Sequence, residues 1–374
     1  MRRSMGILIG VTLVVAGALW WWRSPAHAIL PSASIAAALS APAEPGFARA
    51  VAAREFVFPR DHGPHGDFRA EWWYYTGNLA TSAGRRFGYQ LTIFRVALAA
   101  EATPRTSAWA ASELYFAHFA LSDISEQRFH AHALSARVAL GIAGATADPF
   151  RVWVDRWSAD GWSPTRLRAD ADGVAIDLSV EPGKPIVRQG DRGLSRKSAD
   201  NASYYYSLTR MPTTGSITVD GTSFAVSGTS WMDREWSTSA LAADQVGWDW
   251  FSLQLDDGRD LMLYRMRRAD GSVDPFSSGT VVGVDGDARA LATGDFSIAA
   301  RGTWTSPRSG ATYPSGWSVR VSSAGIDLVV APAIADQELD VGFRYWEGAV
   351  VVSAGGRAVG RGYVELTGYE RASP

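Results

Sequence analysis

Val174-Ala175-Ile176-Asp177-Leu178-Ser179-Val180-Glu181 alternates apolar and polar side chains without a break. A strand turns successive side chains to opposite faces, so this segment reads as a half-buried strand; a helix would repeat its apolar residues every three or four positions. The period of two returns in Phe251, Leu253 and Leu255 against Ser252, Gln254 and Asp256, and in Trp317, Val319 and Val321 against Ser318, Arg320 and Ser322. Ile326, Leu328 and Val330 repeat it, as do Val364 and Leu366 against Tyr363, Glu365 and Thr367. Asp257-Gly258, Asp270-Gly271, Asp285-Gly286 and Gly355-Gly356 fall between such runs and mark hairpin turns. The chain is therefore expected to be all-β and antiparallel, a barrel or a sandwich.

The composition narrows the function classes. A length of 374 residues suits two domains, each able to bury a core. The absence of cysteine excludes a disulfide scaffold, an iron–sulfur centre, a thiolate zinc site and a cysteine nucleophile. A formal net charge of −2, from 36 basic and 38 acidic side chains, gives no basis for a nucleic-acid footprint. With 47% hydrophobic and 20% charged residues the chain is not of disordered type. The unusual number is 16 tryptophans.

Residues 1–28 read as an export signal, because Arg2 and Arg3 precede an apolar run from Met5 to Trp22 and Ala26-His27-Ala28 offers a small-x-small cleavage site. An uncleaved membrane anchor over residues 5–22 is the rival reading, with Trp20, Trp21 and Trp22 at the interface beside Arg23. Both put the remainder of the chain outside the cytoplasm, in the periplasm or at an extracellular face, and make this segment its one route to membrane association. The Ala-, Ser- and Pro-rich stretch 29–54 reads as a linker. Beyond it Glu71-Trp72, Phe87-Gly88-Tyr89-Gln90-Leu91 and Phe94-Arg95 are echoed by Glu235-Trp236, Gly247-Trp248-Asp249-Trp250-Phe251 and Tyr264-Arg265. The echo reads either as a duplicated β unit or as generic likeness between two Trp-rich strands. Duplication would place a boundary near Met211 to Gly221 and domains over 55–213 and 214–374.

In two stretches carboxylates sit directly beside bulky aromatics: Pro59 to Arg95, and Ser230 to Arg265. On a strand, Asp233 and Glu235 share one face, with Arg234 and Trp236 on the other. A carboxyl held against indole in an apolar pocket would keep its proton and act as an acid; the alternative is that these acids pair with arginine to close a barrel end. His62 and His65, three apart in a Gly/Pro loop, are permissive for a metal but suit hydrogen bonding as well. His118 lies between aromatics, as a core histidine or as a polar group facing a cavity. Phosphate-loop, nucleophile-elbow and zincin-helix motifs are all missing.

The string from Phe58 to Leu79, with the strand Phe87 to Arg95, resembles the opening of the lipocalin-like proteins grouped with carotenoid 1,2-hydratases, especially their secreted AttH-type branch. Ser230 to Ser237, Gly247 to Phe251, Tyr345-Trp346-Glu347-Gly348 and Gly362 to Tyr369 resemble further motifs of that family. The resemblance implies two consecutive lipocalin-like antiparallel β-barrels over roughly Phe56 to Tyr369, no cofactor, and, for the AttH-type branch, ABC-transporter components as partners. In the hydratase branch, a His-x-Trp and a Tyr-x-Asp element serve protonation of an isoprenoid double bond. Here these align with Arg234-Glu235-Trp236 and Tyr264-Arg265-Met266, so Arg and Met stand where His and Asp are expected. Guanidinium stays protonated and a thioether carries no acid proton, so both departures count against that mechanism.

The expectation that follows is an exported protein that binds a lipophilic, lipid or isoprenoid-like, small molecule and serves an envelope or transport system. Trp72, Trp73, Trp236, Trp248 and Trp250 would line its cavity, with Glu71, His118, Arg234 and Tyr264 beside them. The alternative is a hydratase or cyclase that protonates an alkene, with Asp233, Glu235 or Asp249 as acid. A third reading, a protein–protein adaptor, would need a large exposed aromatic patch. A cavity carboxyl without a cationic partner favours catalysis, and salt-bridged acids favour binding or structure.

Overall fold

The computed structural model describes residues 45–100, 112–238, 241–242, 244–342 and 344–369. The expected signal or anchor segment, and the linker as far as residue 44, lie outside them. Among the described residues no helix is long and apolar enough to cross a membrane.

Strands β1 (Ala70–Ala80), β2 (Arg86–Ala97), β3 (Glu113–Asp123) and β4 (Arg128–Arg137) form an antiparallel meander. A second meander follows: β5 (Ala143–Ala147), β6 (Phe150–Val154), β7 (Trp157–Asp160), β8 (Thr165–Ala171) and β9 (Val174–Val180). The short β10 (Val187–Arg188) and β11 (Leu194–Arg196) pair with β12 (Ala202–Val219). β12 joins β9 to β13 (Thr222–Ser237), and β13 pairs with β1. The sheet curls until β6 lies over β2, β3 and β4, a nearly closed barrel with one core that includes Trp73, Tyr89, Phe119, Trp157, Leu178 and Trp236.

The second sheet repeats this order. β14 (Gln245–Leu255), β15 (Asp260–Arg268), β16 (Ser278–Val282) and β17 (Ala288–Ala292) are its first meander. Next come β18 (Ser297–Ala300), β21 (Trp317–Val321) and β22 (Ile326–Pro332), with β19 (Thr303–Thr305) and β20 (Thr312–Pro314) as a separate two-stranded hairpin between β18 and β21. β23 (Glu338–Asp340), β24 (Arg344–Ala354) and β25 (Arg357–Leu366) end it, and β25 stands to β14 as β13 stands to β1. Val174 to Val180, whose alternation decides the class, is β9, with its valines, isoleucine and leucine in the first core.

Two details differ from the sequence reading. Residues 213 and 214 lie within the unbroken β12, and the chain passes from one sheet to the next between Ser237 and Gln245, so the changeover falls later than 213/214. Glu71-Trp72 and Glu235-Trp236 are not repeats of each other. They are neighbours in one ladder, with Glu71 opposite Trp236 and Trp72 opposite Glu235. The counterpart of β1 is β14: Glu71 stands opposite Arg95 in the first sheet as Asp249 stands opposite Arg265 in the second, each an ion pair. Similar Trp-rich composition arises both in repeated strands and in strands that pair, so composition alone does not tell the two apart.

Strand parity then sets up an interface. Trp73 and Tyr75 of β1 and Met232 and Trp236 of β13 point into the first core; Phe251 and Leu253 of β14 point into the second. The opposite faces of the same strands carry Trp72, Tyr74, Trp231, Trp248 and Trp250, which pack on one another between the sheets. Gly88 permits the close approach, because a Cβ there would stand 2.7 Å from both Ala349 Cβ and the Tyr363 hydroxyl oxygen. Gly88→Ala is expected to cost about 1–3 kcal/mol by overpacking, seen as a lower urea midpoint. Asp260, at the start of β15, takes Lys184 Nζ at 2.8 Å, Arg210 Nη2 at 2.6 Å and Thr209 Oγ1 at 2.9 Å, all from the first unit.

Candidate active site

A cavity of about 80 Å³ lies between the outer faces of the two sheets. Trp72, Tyr74 and Phe94 wall it from the first sheet, and Trp248, Trp250 and Tyr264 from the second. Trp72 and Trp248 keep partial exposure and mark its mouth. Trp250 is met edge-on by Tyr74 at 5.1 Å and by Trp231 at 6.3 Å between ring centroids. Such T-shaped contacts pack the edge of one ring on the face of the next.

Acids enter this apolar frame from β13 and β25. Asp233 is 4% exposed. Its Oδ1 accepts hydrogen bonds from Ser207 Oγ at 2.5 Å and Trp231 Nε1 at 2.7 Å, and its Oδ2 accepts one from Tyr205 Oη at 2.5 Å. Trp250 Nε1 donates in turn to Tyr205 Oη at 3.2 Å. None of these partners is a cation. Burial therefore pushes the Asp233 carboxyl up to about 7; the three hydrogen bonds oppose the rise and the Glu235 charge adds to it.

Glu235 has a different setting, with Ser203 Oγ bonded to Oε1 and Lys197 Nζ at 3.2 Å. Lys197 also stands 4.3 Å from the Tyr264 ring centre, a cation–π contact at the pocket wall. Burial lowers its affinity for a proton, but the charge and hydrogen bond of Glu235, with Tyr264 and the Asp233 charge, together outweigh burial and raise its pKa. Glu365 accepts from Trp248 Nε1 at 3.1 Å, and burial, with the Asp233 and Glu235 charges, pushes it up to about 8.

Six of the expected site residues meet here: Asp233, Glu235, Trp72, Trp248, Trp250 and Tyr264. The others lie elsewhere, and strand parity explains most of them. Glu71, Trp73, Arg234 and Trp236 are on the inner faces of β1 and β13. There Arg234 contacts Glu71 and lies 3.9 Å from the Trp73 ring centre, a plug at the barrel end. Asp249 points away from the cavity to Arg265, Arg267 and Tyr369. His118 is a core histidine between the sheets: Nδ1 meets Tyr345 Oη at 2.8 Å, and burial pushes it down to about 3.

His62 Nδ1 meets Tyr206 Oη at 2.5 Å, and His65 stacks on Trp236 with its centre 3.8 Å away, between Glu71 and Asp61. Arg234 lies against both histidines, which suits an ion-pair network better than a cation site. Among the described residues no three His, Asp or Glu side chains are placed to hold a metal.

Sequence reasoning missed Tyr74, Phe94, Lys197, Tyr205 and Glu365. Lys197 sits in a polar turn with nothing to distinguish it. Glu365 has a signal in its alternation with Val364 and Leu366, which places it on the face opposite the second core. Met266, read as standing in place of an acid, does line the cavity, and Asp233 on the facing sheet supplies a carboxyl there instead.

Known proteins share this architecture. A putative AttH from Nitrosomonas europaea superposes with a TM-score of 0.79 at 36% identity, over 87% of this chain and all of that one. Kievitone hydratase from Nectria haematococca shares the fold at a TM-score of 0.64 and 17% identity, over 84% of this chain and 93% of that one. No curated protein matches the chain. The family model described as AttH-like matches residues 49–369, and the chain belongs to the AttH-like family.

Proposed function

We propose that the chain takes the unsaturated end of a lipophilic molecule into the cavity between its sheets and protonates it at carbon, as a hydratase or cyclase acting on an alkene would. The observation that carries this reading is Asp233, a buried carboxyl with hydrogen-bond partners and no cationic one, held in an aromatic pocket. An acid that keeps its proton near neutral pH in a largely apolar site is what protonation of a double bond requires. Seven aromatic side chains line the cavity in which charge then develops on carbon. A volume near 80 Å³ is about half that of a benzene-binding cavity of ~150 Å³. The reacting end alone is enclosed, and the rest of the molecule leaves between Trp72 and Trp248. A protein of the same fold, kievitone hydratase, is a hydratase, in line with this chemistry.

Binding without chemistry is the second reading, in which an exported chain presents a lipophile to an envelope transport system. The Glu235–Lys197 ion pair at the cavity wall favours it, because a fixed pair orients a ligand without giving up a proton. Incubation with acyclic isoprenoids in heavy water separates the two. The enzyme reading expects deuterium on a ligand carbon. Unlabelled ligand recovered in bound form would leave the binding reading standing.

A further inference from the structure

Glu347 on β24 stands directly opposite Glu365 on β25. Glu347 is 1% exposed, and Glu365 keeps partial exposure where it reaches the cavity wall beside Asp233. Two carboxylates in direct cross-strand register repel, and in a buried setting the repulsion is relieved by keeping a proton between them. Tyr74 from β1, Tyr345 from β24, Tyr363 from β25, Trp248 from β14, and Asp233 and Glu235 from β13 act on the pair; the cation lining the same pocket, Lys197, is paired with Glu235. Burial first, and then the charge of Glu365, drive Glu347 well above the ordinary carboxyl range. Tyr74 and Tyr345 lie against Glu347, and their hydroxyls partly oppose that rise.

We propose that Glu347 and Glu365 form a carboxyl dyad whose singly protonated form is the active one, with Glu365 as the base that receives the proton of an attacking water and Glu347 as the residue that positions it. Its part in turnover rests on the alkene-protonation reading; the shared proton does not. Asp233 gives its proton to one alkene carbon, and the π pair forms the new C–H bond. The oxygen of water then bonds to the other, cationic carbon, and the proton that oxygen sheds goes to Glu365. The dyad, now carrying two protons, returns one to the Asp233 carboxylate. The net change is alkene plus water to alcohol.

Infrared titration of the carbonyl stretch of protonated carboxyls tests the dyad without any ligand, in the full chain and in Glu347→Gln and Glu365→Gln. The wild type is expected to keep this signal above neutral pH and to lose the dyad's share in two separated steps. Either variant should lose the upper step. In Glu347→Gln the acid limb of the pH profile for deuterium uptake, which the base Glu365 sets, should move down by about one pH unit or more. Retention of the wild-type titration in both variants would overturn the dyad. So would loss of fold in both, since glutamine reproduces the shape and hydrogen bonds of a protonated carboxyl. Uptake abolished by Asp233→Asn but with an unmoved pH profile in Glu347→Gln retires the dyad's role and leaves the acid in place. A two-step titration without any deuterium uptake retires the alkene reading and leaves the dyad.

Discussion

Asp233→Asn is expected to lower deuterium incorporation into a bound alkene by about 10²–10⁴-fold, the usual contribution of a positioned general acid, while ligand binding measured by tryptophan quenching persists. Asparagine keeps the shape of the side chain and can still accept from Trp231 and Ser207 through one oxygen, but it has no proton to give. Because the active form is the protonated one, wild-type turnover should fall as pH rises through about 7. Stability follows the same titration. A carboxyl whose folded pKa is raised contributes stability that is complete below its unfolded value and is lost as pH rises through the folded one. At pH 8 the wild type has to carry a buried Asp233 charge and the variant does not. Asp233→Asn should therefore melt higher than wild type at pH 8, with no such advantage at pH 4. Loss of activity together with gain of stability marks a site residue, since a structural ion pair would lose both. Glu235→Gln is the comparison: its partner is Lys197, so it should lose stability and cost far less turnover.

How much of this was legible in the sequence depended on parity. Alternation in β9, β14, β21, β22 and β25 was enough for the class, and on β13 it correctly put Asp233 and Glu235 on one face and Arg234 and Trp236 on the other. The same rule could not say which face meets the second sheet. Glu71 and Trp73 were therefore grouped with Trp72 although they point the other way, into the first core and the barrel end. Asp249 failed for the same reason, since it and Trp250 are adjacent and face opposite sides. Lys197 and Tyr205 reach the site through strand pairings that cross many residues of chain, and Glu347 meets Glu365 only once β24 and β25 are in register. Long-range register leaves no local pattern to read.

Glu71→Gln should be the most destabilising single change away from the pocket, by about 3–5 kcal/mol, the range for removing one partner of a buried ion pair. Glu71 is fully buried between Arg95 and Arg234, with Arg95 Nη1 at 2.9 Å. Burial alone would raise its pKa, but the charge of Arg234, the hydrogen bond with His65 and the charge of Arg95 outweigh burial and hold it at about 2. A carboxyl with a depressed pKa contributes stability that is present above its unfolded value near 4.3 and is lost as pH falls through the folded one. The depression corresponds to about 3 kcal/mol, so wild-type stability should decline between roughly pH 4.5 and 2 while Glu71→Gln shows a much flatter profile there. The two arginines left behind are not equivalent. Arg95 keeps Glu113 at 2.8 Å, whereas Arg234 retains only carbonyl oxygens, His65 and the faces of Trp73 and Trp236. Adding Arg234→Met to Glu71→Gln should therefore recover part of the loss, a non-additivity expected of residues in one network. Ligand affinity of the folded variants should stay at the wild-type value, because Glu71 and Arg234 lie on the opposite face of the sheet from the cavity. A change in affinity without a change in urea midpoint would instead make the barrel-end network part of the binding site.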